Sequence, residues 1–126
     1  TALFTFVTEA TTDQVITNGP LKIVNRTGTT TIYYNGPAAN FADAGSFGQG
    51  TPIQVSTYRQ QVILNTLTNA FTTVHMNTIT STHPFILDGV TYRLGRKGWS
   101  FRTTYSGQSN PTAPNGWFAG YAVGVN

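Results

Sequence analysis

Twenty-three of the 126 residues are threonine and only 11 are Asp, Glu, Lys or Arg, an imbalance that narrows the choice of fold before any motif is found. Soluble domains carry roughly 25% charged residues; this chain carries 9%. Helices draw on Glu, Lys and Arg for their outer faces, whereas β-branched and aromatic side chains fit the pleated surface of a sheet. The chain therefore reads as all-β. A surface so poor in charge stays soluble through hydroxyls and amides, or is partly covered by other subunits.

One domain spanning residues 1–126 suits this length, which is enough to bury a sizeable core. With no cysteine, neither disulfides nor thiolate chemistry contribute. The net charge of +3 is mild, and no basic run of nucleic-acid-packaging length occurs. No apolar stretch approaches the ~20 residues of a membrane-spanning helix, so membrane insertion is not expected. No charged start followed by an apolar core marks a secretory signal.

Four Asn/Asp-Gly pairs punctuate the chain: Asn18-Gly19, Asn35-Gly36, Asp88-Gly89 and Asn115-Gly116. Each can supply the positive φ that tight turns require. Between them lie short runs rich in Val, Ile, Thr, Tyr and Phe, which predict strands over 3–7, 14–17, 21–25 and 29–34. A long Gly/Ala/Asn-rich loop is expected over 35–51, and strand character resumes at Ile53. Residues 59–74 are ambiguous, because Ile63, Leu67, Ala70, Phe71 and Val74 recur at helical spacing. The Thr and Asn residues among them favour two strands instead, over 61–67 and 70–79.

The sharpest local expectation is a hairpin across Asp88-Gly89, pairing Leu87 with Val90 and Phe85 with Tyr92. Continuing the meander by pairing Leu94 with Trp99 adds Trp99, Phe101 and Tyr105 to the same apolar face. The last strand, 117–125, divides into a large face (Trp117, Tyr121, Val123) and a small one (Gly120, Ala122, Gly124). A small face admits close approach by a second sheet, within the domain or from another subunit.

Arg93, Arg96, Lys97 and Arg102 put four of the seven bases within ten residues. Guanidinium forks match anionic oxygens, so this cluster is the first candidate site, for a glycan or another anionic ligand. The plainer alternative is a solvated strand face. Adjacent Tyr33 and Tyr34 must face opposite sides of a strand, so one is expected away from the buried side, where it can stack on a sugar or anchor a partner. The two histidines, His75 and His83, have no metal-ligand spacing, so neither metal nor cofactor is expected. Four scattered acids and no Gly-x-Ser-x-Gly elbow give catalysis no footing.

The expected fold is a single β-sandwich or jelly-roll-like barrel of roughly eight to ten short antiparallel strands. The expected role is a non-enzymatic, homo-oligomeric attachment or recognition head, trimeric or larger, at a fibre tip or on a surface adhesin. The alternative is a structural shell or filament subunit: a small coat, decoration or strand-exchanging fibre protein. Either places the chain on a virion or an extracellular surface. Nucleic-acid contact through a basic sheet face is a weaker third reading.

Overall fold

A computed structural model describes residues 2–109 and 116–125. Eight strands follow in order: β1 (Ala2–Asn18), β2 (Leu21–Ala39), β3 (Thr51–Asn65), β4 (Ala70–Thr82), β5 (Phe85–Leu87), β6 (Val90–Tyr92), β7 (Ser100–Ser109) and β8 (Gly116–Val125). Six of them form one antiparallel sheet in the order β1-β2-β3-β4-β7-β8, and β5-β6 form a separate two-stranded hairpin. The all-β expectation holds. The closed barrel does not, because β1 and β8 end the sheet as two separate edges. A second full layer is also missing among the described residues, so the expected sandwich is reduced to one sheet with a hairpin against it.

The strands are longer than the turn signals implied. β2 runs for 19 residues, straight through Asn35-Gly36-Pro37. Asn35 does not turn the chain because its side chain is buried and donates to Thr5 Oγ1 at 2.9 Å, tying β2 to β1. Thr5 Oγ1 donates onward to the Phe47 carbonyl at 2.7 Å, which anchors the short 3-10 helix Ala44–Gly48. Breaks in register at Asp13, Ile53 and Thr80 bend the long strands without ending them. Residues 59–74 adopt the two-strand reading, joined by a turn in which Asn69 takes a positive φ of 56°.

Asp88 and Gly89 both take positive φ, and Phe85 pairs with Tyr92 and Leu87 with Val90, as a two-residue primed turn dictates. The predicted continuation fails. β7 leaves the hairpin and pairs with β4 and β8, so Leu94 never faces Trp99 in a ladder. The physical reason is the 93–99 loop, which is captured by the sheet: Ile79 N–H donates to the Trp99 carbonyl and Gly98 N–H to the Ile79 carbonyl, each at 2.8 Å. Gln54 Nε2 adds a third tie, to the Leu94 carbonyl at 2.9 Å.

Register fixes two faces. Phe4, Phe6, Arg26, Tyr58, His75, Phe101, Tyr105 and Phe118 share one, the aromatic face. Thr29, Thr57, Arg59, Met76, Thr78, Ser100, Arg102 and Tyr121 share the other, the hydroxyl face. The hairpin covers one end of the aromatic face, where Phe85 meets Phe4 and Tyr34 at centroid distances of 5.5 and 5.4 Å. Buried apolar side chains are Ala39, Ile53, Tyr58, Ile79 and Phe85. Beyond the hairpin, Tyr58, Thr73 and Asn77 are buried in the middle of the aromatic face, while Phe6 and Phe118 on its two edge strands are exposed.

Candidate functional site

Two surfaces concentrate chemistry. The first is a groove of ≈ 790 Å³ along the uncovered aromatic face. Its floor is a line of rings crossing four strands. Tyr58 meets His75 edge-on at 4.9 Å, His75 meets Tyr105 at 5.2 Å, and Tyr105 meets Phe118 at 5.3 Å. His75 Nε2 is also within hydrogen-bond reach of Gln60 Nε2 and Tyr105 Oη, both at 3.1 Å. Burial disfavours the charged form and pulls the His75 pKa below its ordinary value of 6.5. Burial, reinforced by Tyr105 and opposed by Arg26, pushes the Tyr58 hydroxyl up to about 12.

The walls of the groove are apolar and wet. Phe6 is 67% exposed and Phe118 71%, although each carries a whole aromatic ring. On the same face three buried polar atoms have no partner among the described residues: Arg26 Nε, a donor, and Gln54 Oε1 and Gln60 Oε1, both acceptors. Every carboxylate of the chain lies elsewhere: Glu9 on the hydroxyl face, Asp13 at its bulge bonded to Thr27, Asp43 capping the 3-10 helix and Asp88 in the hairpin turn.

The second surface is a hollow of ≈ 550 Å³ lined by Thr80, Ser81, Thr82, Arg93, Arg96 and Lys97. Three of the four predicted bases therefore come together. Arg93 Nη1 donates to both the carbonyl and the hydroxyl of Thr82 at 3.0 Å, and the Arg96 guanidinium sits 5.6 Å from the Trp99 ring centre. Arg102 is not part of the group. It lies on the hydroxyl face opposite Met76, six residues along β4 from Thr82, about 20 Å at strand rise. The expected proximity of Arg93 and Arg102 rested on the 94–99 pairing and falls with it.

Neither tyrosine of the predicted pair stands free. Tyr34 packs against Phe4 and Phe85, and Tyr33, on the opposite side, lies beside the 3-10 helix, so both are half-buried. Among the described residues no group of three His, Cys, Asp or Glu side chains gathers as a metal site would require. Sequence reasoning missed the ring line, since Phe71, Thr73, His75 and Asn77 alternate too mixed a set to read as an apolar stripe. Phe4 with Phe6 on β1, and Phe101 with Tyr105 on β7, were the same-face aromatic signals of the groove that the sequence did offer. Compared with known proteins, the chain matches no family model, no curated protein and no solved structure.

Proposed function

We propose that this chain is a structural assembly subunit, a shell or filament protein, that completes its single sheet by burying the aromatic face against a second copy. The observation that carries this reading is the open groove flanked by exposed Phe6 and Phe118. Domains are built from at least two packed layers, because a sheet with one apolar face must bury it. Here the hairpin covers only one end, and the reading supplies the rest of the second layer from a partner present whenever the chain folds. A second copy meets that condition by definition.

Burial between copies also accounts for the low charge, and a particle or fibre surface is the setting in which such a subunit works.

A second reading, a recognition head, is favoured by one observation, the basic hollow beside the hairpin. Discrete small oligomers point to the head; large particles or filaments point to the shell.

The experiment compares Phe118→Asp with Tyr121→Asp. Both residues sit on edge strand β8 and are similarly exposed, at 71% and 67%, but they face opposite sides of the sheet. Phe118→Asp lowers the solution mass and Tyr121→Asp leaves it unchanged if the aromatic face is the interface. Loss of assembly in Tyr121→Asp alone, or in neither, refutes the reading.

A further inference from the structure

We infer that the hollow between β4 and the 93–99 loop is a binding site for a sulfate ester carried on a polysaccharide. The inference does not depend on how copies of the chain assemble. Its first support is electrostatic: Arg93, Arg96 and Lys97 converge on one hollow with no carboxylate among its lining residues. Its second is preorganisation. The loop carrying the bases is clamped to β4 at Ile79 and to β3 at Gln54, and two positive-φ glycines, Gly95 and Gly98, set its shape. Arg93 is held by two hydrogen bonds to Thr82 and Arg96 lies against Trp99, so neither guanidinium has much freedom left to lose when an anion arrives.

The third support is the rim. Thr82 Oγ1 accepts from Arg93, which leaves its own proton to donate. Guanidinium forks and hydroxyl donors together match tetrahedral oxyanions and the hydroxyls around them. A volume of ≈ 550 Å³ lies within the roughly 300–1,000 Å³ range of small-ligand sites, room for a sugar unit and not only for a bare ion.

A sulfated glycan is favoured over single-stranded nucleic acid because nucleic-acid grooves stack bases on aromatic rings. No aromatic residue lines this hollow, and the Trp99 ring already carries Arg96.

The test is binding of the whole chain to heparin in rising salt, with fully desulfated heparin and poly(U) RNA as competitors. Arg96→Gln with Lys97→Gln is compared with Arg59→Gln and Arg102→Gln, which removes the same charge from the hydroxyl face; circular dichroism confirms that both variants fold. Wild-type protein binds heparin in a salt-dependent way, desulfated heparin and poly(U) fail to compete, and only the Arg96/Lys97 variant loses affinity, by about tenfold or more. Equal losses in the two variants would reduce the effect to net charge and overturn the site. Absence of heparin binding at low salt, or preferential capture of poly(U), overturns it as well.

Discussion

Replacing Phe6 by Ala separates a sheet that stands alone from one that is half of an interface. Within one chain Phe6 is 67% exposed, and such surface truncations usually change stability by no more than about 0.5 kcal/mol. A second copy that covers the aromatic face buries the remaining two-thirds of the ring. Phe→Ala in a filled interior costs about 3–5 kcal/mol. Two-thirds of that is about 2–3 kcal/mol per copy, and an interface of two identical faces loses it twice, about 4–6 kcal/mol. At about 1.4 kcal/mol per decade the dimer Kd rises roughly a thousand- to ten-thousand-fold. Sedimentation velocity over a dilution series reads the shift directly. A Phe6→Ala protein that sediments like the wild type at every concentration, with the same urea midpoint, would show the ring to be as solvent-exposed in solution as in the single chain, and the interface argument would fail.

Other consequences follow from the same groups. His75 faces Tyr58 and Gln60 of β3 and Tyr105 of β7, with Arg26 of β2 in the same groove and no carboxylate nearby. Because its folded pKa lies below 6.5, the unfolded chain binds more protons, so stability present above pH 6.5 is lost as the pH falls through the folded value. Thermal melts between about pH 7.5 and about pH 5.5 should show this loss, and His75→Gln should flatten it; an unchanged slope in that variant assigns the pH dependence elsewhere. Asn35→Ala removes the donor that joins β2 to Thr5 of β1 and should cost about 1–3 kcal/mol in urea denaturation, more than an exposed Asn. A change within about 0.5 kcal/mol would mean that the Asn35–Thr5–Phe47 chain is incidental to the fold.

What the sequence disclosed, it disclosed locally. The Asp88-Gly89 hairpin was legible because turn type and register are both set by two residues with positive φ. The alternation along β8 was legible because strand period is 2, but its small face was not wholly small, since Phe118 shares it with Gly120, Ala122 and Gly124. The single-sheet architecture was not, since Asn35-Gly36 spells a turn and becomes strand only when Thr5, thirty residues away, accepts from Asn35. The basic cluster was legible as composition, but its membership was decided by Ile79, whose N–H and carbonyl hold the loop that carries Arg96 and Lys97 and steer β7 away with Arg102. The groove of rings stayed hidden because His75, Asn77 and Thr73 interrupt its apolar pattern on β4.

The most direct measurement is the solution mass of the untagged chain by light scattering, from dilute to concentrated protein. A subunit that completes its sheet with a second copy is dimeric or larger throughout the range in which it remains folded. A folded monomer of 13.6 kDa at every concentration would contradict the account, because Phe6 and Phe118 would then stand in water with nothing to cover them.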